Sequence, residues 1–216
     1  MLKLYHCREA RSLRALWTLE EMGLEYDPVL LPFPPRELAK EYLEVNPLGT
    51  VPYLIDGDVR MSESTAISLY LTARYGPTSL GLSVDEPDYA MFLNWLFFSD
   101  ATLTFPQTIV LRYRVLEPVE RRVEQPAADY ERWFYGRLKA VDAGLVDREW
   151  LCGGRFTIAD IAICYALYLA KFIVGIGEGF GPNIRAYLGR AMSRTAFVRA
   201  MEVDAQSPSW RPKFFL

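Results

Sequence analysis

The chain of 216 residues is 51% hydrophobic, with a formal net charge of -3, three cysteines and one histidine; this supports one or two globular domains and, without a basic block, excludes a nucleic-acid partner held through its phosphates. Cys7, Cys152, Cys164 and His6 have no close metal-ligand spacing, so no metal site is expected, and the odd cysteine count fits a reducing compartment. Residues 1–5 open as a strand rather than as a secretory signal, and the most apolar stretch, residues 161–170, is too short to cross a bilayer, so a cytoplasmic protein without a membrane partner is expected.

Residues 2–5 read as a short buried strand and residues 12–22 as a helix with Leu13, Leu16 and Trp17 on one face, closed by Gly23. Residues 25–31 return as a second strand, making a β-α-β unit whose crossover should be right-handed. The Pro32-Phe33-Pro34-Pro35 loop leads to a short helix over residues 36–45, broken by Asn46-Pro47. Residues 53–55 and 59–61 are apolar runs around Asp56-Gly57-Asp58, a hairpin whose turn uses the glycine's tolerance of positive φ. Pro52 stands at the hairpin's entrance, where it owes the ladder no donor, and the Val51-Pro52 bond is a candidate cis peptide. Ser62-Glu63-Ser64 then opens a helix reaching residue 75, with Ile67, Tyr70 and Leu71 at helical spacing.

That combination has a chemical meaning. A helix N-terminus carries free N–H groups and a partial positive charge and so receives a carboxylate, to which a hydroxyl such as that of Ser64 adds a donor. Glu63 can answer an ammonium, and the strand edge at Val51 can pair its backbone with an extended peptide. The bland alternative is that Ser64 is only an N-cap, Glu63 only a first-turn acid and Pro52 only a strand start.

The sequence Asn-Pro-x-Gly-x-Val-Pro, a hairpin and Glu-Ser-x-Ala-Ile resembles the N-terminal, thioredoxin-like domain of cytosolic glutathione transferases, in a bacterial-type form with a non-standard catalytic loop. The resemblance implies a cis Pro52, pairing of Val51 with the cysteinyl backbone of glutathione, and Glu63 and Ser64 at its γ-glutamyl end. Thr50 stands where many relatives carry a basic residue or glutamine, and is counted with the glutathione-binding set. A homodimer is implied in the same way.

Such a transferase must hold a thiol of pKa about 8.5 as thiolate near pH 7, by a helix N-terminus, a hydroxyl donor or a cation. The loop Tyr5-His6-Cys7-Arg8-Glu9-Ala10-Arg11-Ser12-Leu13-Arg14, leading into the first helix, can supply all three. By the resemblance, the side chain used by serine and cysteine classes falls at Glu9, a departure, since an ionised carboxylate would repel a thiolate. The catalytic candidates are therefore Tyr5, Ser12 and Arg11: a phenol at the end of the first strand, a hydroxyl at the helix N-cap, and a cation in the loop. Against them stand a core tyrosine, a plain N-cap and a solvated arginine. Cys7 offers a further alternative, a mixed disulfide as in reductase-like members.

Beyond Gly76-Pro77, residues 78–87 lack helical or strand periodicity and read as a linker, leaving residues 1–77 as the thioredoxin-like, glutathione-binding domain. Residues 88–216 read as an all-helical domain. It begins with a helix over 88–116 that Pro106 kinks or breaks and a second over 119–146 with Pro126 near an N-terminal turn. Thr157 and Asp160 make a capping-box pattern, Phe156 and Ile161 a hydrophobic staple, and residues 161–169 are apolar on almost every face, so a central buried helix starts here and Asp160 is a folding residue. A hydrophobic electrophile is expected in a cleft between the domains, near Phe33, Phe105 and Tyr113, with Trp210, Phe214 and Phe215 covering one side. The expected function is conjugation of the glutathione thiol to a small electrophilic compound. The competing readings are a non-catalytic glutathione-fold binding or regulatory protein and a glutathione-dependent disulfide reductase.

Overall fold

Alternation of buried and half-buried residues defines β1 (Leu2–Cys7), with Leu2, Leu4 and His6 on one face. The computed structural model describes residues 1–210, and Phe214 and Phe215 of the expected aromatic tail lie outside them. β1 runs two residues further than its apolar run because His6, a polar residue on the buried face, has a partner there: Nε2 lies 3.0 Å from Asp204 Oδ1. In α1 (Leu13–Met22) the residues Leu13, Leu16, Trp17 and Leu19 are buried. The chain then leaves through Gly23 at φ +62, whose N–H returns to Glu20, the left-handed cap for which glycine is suited.

β2 (Tyr26–Leu31) lies parallel to β1, and β3 (Tyr53–Asp56) and β4 (Val59–Met61) follow antiparallel, giving the sheet order β2-β1-β3-β4. The expected hairpin is present, with Gly57 at φ +56 in its turn. The expected helix over 36–45 is instead α2 (Pro35–Leu38) followed by a 3-10 turn, Lys40–Glu44, with Ala39 at φ -140 interrupting them. α3 (Ser64–Arg74) completes the β-α-β-α-β-β-α order. This is the thioredoxin-like arrangement, with the remaining helices forming an all-α part.

Those helices are α4 (Tyr89–Phe98), α5 (Phe105–Leu111), α6 (Glu124–Gly144), α7 (Ile158–Tyr168), α8 (Pro182–Met192) and α9 (Thr195–Asp204). Between α4 and α5 lies a π-helical turn, Ser99–Thr104, and Pro106 follows two residues later in the first turn of α5. A widened turn accommodates both the missing proline N–H and its ring, which is how the expected break is realised. Pro126 sits in the first turn of α6, where its missing donor has no helical acceptor to serve.

The described residues form two compact units that do not follow the chain linearly. One contains Met1–Thr78 together with the residues from Ser193 on, the other Ser79–Met192. The expected single helical domain over 88–216 therefore differs from the observed units, in which α9 belongs with the sheet. The reason lies in its surface: Phe197 meets Trp17 edge-on at 4.7 Å, Arg194 donates to both Glu21 carboxylate oxygens at 2.6 and 2.7 Å, and Arg199 Nε donates to Glu20 at 2.8 Å. The expected linker is no free strap either. Leu80 and Leu82 are buried, Leu80 C=O accepts from Ile158 N–H at 2.9 Å, and Arg155 reaches the carbonyls of Ser79 and Gly81 and both oxygens of Glu86.

The capping box at α7 is formed. Thr157 N–H donates to Asp160 Oδ2 at 2.8 Å while the threonine side chain receives from the N3 backbone. Asp160 also accepts from Leu151 N–H at 3.0 Å and Tyr187 O–H at 2.8 Å, and Phe156 and Ile161 are both buried. Burial pushes the Asp160 carboxyl up to about 6 against the pull of these donors.

Candidate functional site

The loop before β3 is built from its own sequence. Asn46 Oδ1 accepts from Leu48 N–H at 3.2 Å, an Asx turn that Pro47 can join without a donor of its own. Gly49 follows at φ +59, and a Cβ there would stand 2.7 Å from Arg36 Cβ and 2.9 Å from Leu43 Cδ2, so only glycine fits both its conformation and its space. Thr50 C=O is then held by Tyr42 O–H at 2.7 Å and Asn46 Nδ2 at 2.9 Å. The Val51-Pro52 bond is cis. Pro52 is buried, Val51 half-buried and Thr50 exposed, and the Val51 backbone makes no hydrogen bond to the described residues.

At the start of α3, Glu63 is the N-cap in extended conformation, its C=O accepting from Ile67 N–H at 2.8 Å. Its carboxylate is exposed and has no ion-pair partner among the described residues. Ser64 is buried, and its Oγ accepts from Arg14 Nη1 at 3.1 Å. One turn on, Thr18 and Ser68 hydroxyls meet at 2.9 Å, so a fully buried arginine and three hydroxyls tie α1 to α3. A guanidinium only donates, so the Ser64 hydroxyl proton is free to point elsewhere.

The three catalytic candidates separate. Ser12 is fully buried, makes no side-chain cap, and exchanges contacts with the Cys7 backbone, N–H to Oγ at 3.4 Å and Oγ to C=O at 3.5 Å. Ser12 stands at the N-cap of α1, as the sequence suggests, and in this structure its hydroxyl faces the Cys7 backbone of its own loop. Tyr5 is half-buried beside the rings of Tyr42 and Tyr53, at 5.1 and 6.2 Å, and its hydroxyl has no partner among the described residues. Arg11 is half-buried in the loop, its C=O accepting from Arg14 N–H at 3.2 Å. Cys7 does not suit disulfide chemistry. It is fully buried, Sγ faces Pro32 C=O at 3.6 Å, and burial, assisted by the Asp204 charge, pushes its thiol up to about 12.

Glu9 adopts φ +60, and its N–H donates to Asp204 Oδ1 at 2.7 Å. Sequence reading missed Asp204, and it placed Arg14 at the end of the thiol loop without its pairing to Ser64; each contacts its partner across a long stretch of chain, and no spacing signals either pairing. Asn46 was visible as a turn residue, although not as the holder of Thr50. Phe33 and Trp210 meet at 6.1 Å within the sheet unit, whereas Phe105, exposed and edge-on to Tyr130 at 5.8 Å, and Tyr113 belong to the other. Among the described residues no cluster of three or more His, Cys, Asp or Glu side chains could hold a metal ion. No helix there is long and apolar enough to cross a membrane.

Comparison with known proteins gives matches over nearly the whole chain. Residues 1–73 match the family model of the glutathione S-transferase N-terminal domain, and residues 109–195 that of the C-terminal domain. Glutathione S-transferase GstB of Escherichia coli is 33% identical over 191 residues, covering 85% of this chain and 88% of its own. Glutathione S-transferase hmp2 of Hypomyces subiculosus is 30% identical, with 93% and 97% covered. Among solved structures, a sphingomonad glutathione S-transferase complexed with glutathione superposes with a TM-score of 0.82 at 25% identity, over 95% of this chain and all of that one (100%). A glutathione transferase from Methylococcus capsulatus gives 0.84 at 25% identity, over 95% and 99%.

Proposed function

Since this chain belongs to the glutathione S-transferase family, we propose that its sheet unit binds glutathione and that the protein transfers the glutathione sulfur to a small hydrophobic electrophile. The observation that carries the reading is the unpartnered Val51 backbone before the cis Pro52, in the same unit as an exposed, unpaired Glu63 at the start of α3. An extended tripeptide pairs with the first, and its γ-glutamyl ammonium with the second. The carboxylate of that end meets the N-terminus of α3, where the Ser64 proton, turned away from Arg14, can donate to it. Thr50 borders the same edge.

In this reading the thiol lies at the N-terminus of α1, whose partial positive charge favours thiolate. Tyr5, with its hydroxyl unengaged, is the donor to sulfur, and Arg11 adds positive potential. The thiolate attacks the electrophilic carbon, the C–S bond forms, and the displaced group leaves with the electron pair. The same reading places the protein in the cytoplasm as a homodimer.

Calorimetric titration with glutathione, followed by assays of conjugation and of disulfide reduction, tests it. Glu63→Ala should weaken binding by about 1.5–3 kcal/mol, as for a charge-assisted hydrogen bond, and Tyr5→Phe should raise the pKa of the bound thiol and slow turnover near neutral pH. Glutathione binding without conjugation would favour a non-catalytic binding protein, and unchanged affinity in Glu63→Ala would remove that residue from the site.

A further inference from the structure

Asp204 ends α9 with its side chain only 1% exposed, and its Oδ1 accepts two hydrogen bonds from one short stretch, His6 Nε2 at 3.0 Å and Glu9 N–H at 2.7 Å. Both bonds span almost the entire chain, 198 and 195 residues. Nδ1 of the fully buried His6 has no partner, so the ring's one side-chain bond is the one to Asp204. Glu9 is a non-glycine residue at φ +60, a left-handed conformation disfavoured for L side chains and kept only where the surroundings fix it. Around it the loop is closed by Ala10 N–H to Cys7 C=O at 3.2 Å and by Ser12 on the Cys7 backbone, and Leu13 N–H to Ala10 C=O at 2.9 Å starts α1. Asp204 thus anchors this turn from far along the chain, on a helix that the linear order of the chain places in the other domain.

We infer that Asp204 is a positioning residue for thiol activation: by holding His6 and the Glu9 amide it sets the turn that carries β1 into the N-terminus of α1, and thereby the place where the thiolate is stabilised. The inference rests on the reading that the thiol of glutathione lies at that terminus. It separates two properties of the same site. Val51, Glu63 and Ser64, which would hold the rest of the tripeptide, make no bond to Asp204 among those described. Loss of the clamp should therefore act on kcat and on the ionisation of the bound thiol, and leave the KM for glutathione nearly alone. A misplacement of about 1 Å in such a turn is enough for a loss on the order of 100-fold.

The test compares the full-length protein with Asp204→Ala and Asp204→Asn, reading kcat and KM with glutathione and an activated aryl halide, the thiolate absorbance of bound glutathione against pH, and hydrogen exchange at the Glu9 amide. Asp204→Ala should lower kcat at least about tenfold, raise the bound thiol pKa and deprotect the Glu9 amide, with the KM for glutathione within about twofold. Asp204→Asn keeps an acceptor at Oδ1 and should recover most of the loss. Folded Asp204→Ala with a deprotected Glu9 amide but wild-type kcat and thiol pKa overturns the inference, as does a uniform rise in KM with kcat unchanged. If Asp204→Ala does not fold, Asp204→Asn decides: Glu9 protection and kcat retained or lost together support the clamp, and either changing without the other overturns it. A wild-type protein that binds no glutathione would instead bring down the reading beneath, an outcome recognised without any variant.

Discussion

Two buried aspartates organise this molecule, one in each unit. Asp160 receives from Thr157 N–H three residues before it and from Leu151 N–H nine before it, so its principal task is local and its sequence neighbourhood announces it. Asp204 performs the same chemistry, a carboxylate accepting a backbone N–H, but for Glu9, 195 residues away. Similar burial and similar hydrogen bonding thus serve one helix start and one loop. What separates them is distance along the chain, and that decides which of the two a sequence can disclose.

The comparison breaks most visibly at Asp160. Replacing it with alanine orphans Leu151 N–H, Thr157 N–H and Tyr187 O–H in a dry interior, and the expected loss is about 3–5 kcal/mol rather than the ~0.5–2 of an ordinary cap. Urea unfolding measures it; a loss below about 1 kcal/mol would mean that the outer donors find water. Glutathione affinity of the folded fraction should be unchanged.

Acidity sharpens the same contrast. With its folded pKa raised from 3.8 to about 6, Asp160 binds its proton more tightly in the native state. Its proton-linked stabilisation is complete below pH about 4 and is lost as pH rises through about 6. A two-unit shift amounts to at most about 3 kcal/mol. Unfolding free energies of wild type and Asp160→Asn should therefore converge or cross as pH rises from 4 to 7, whereas a constant difference would place the carboxyl near its ordinary value.

On the Asp204 side, α9 is fastened to α1 by the two-pronged Arg194–Glu21 pair, with Glu21 nearly buried. A double-mutant cycle with Arg194→Ala and Glu21→Ala should return a coupling of about 1 kcal/mol, together with increased exchange at the Glu9 amide. Coupling without that increase would show that α9 can loosen without releasing the loop.

The smallest effect is expected at Arg155, whose guanidinium holds the Glu86 carboxyl down to about 2 from 4.5. A depressed pKa gives stabilisation present above pH 4.5 and lost as pH falls through about 2. Arg155→Ala should thus lower the melting temperature slightly at neutral pH, and the difference from wild type should vanish in strong acid. A difference independent of pH would assign the effect to the Ser79 and Gly81 carbonyls.

Much of the fold was legible because its signals are local. Gly23 as helix cap, Asp56-Gly57-Asp58 as hairpin turn, Pro52 at a strand start and Thr157 with Asp160 at a helix start each act within a few residues. Ala39 was not, since the dihedral that splits the helix over 36–45 follows from packing around Tyr42 rather than from a breaker residue. Of the candidate site, Val51, Pro52 and Glu63 have the exposure and bonding that their sequence context suggests. For Ser12 the sequence shows less: a hydroxyl at a helix N-cap looks the same in sequence whether it faces a ligand or its own loop, and here it faces Cys7. Arg14 and Asp204 belong to tertiary pairings, for which a single sequence holds no period or motif.

The membership of α9 in the sheet unit constrains any attempt to recombine this protein with its relatives. A chimaera joined after Thr78 would set one parent's α1 against the other parent's α9, so that Glu20, Glu21 and Trp17 would face residues chosen for a different helix. The transferable module is discontinuous: residues 1–78 travel intact only together with the segment that starts at Ser193.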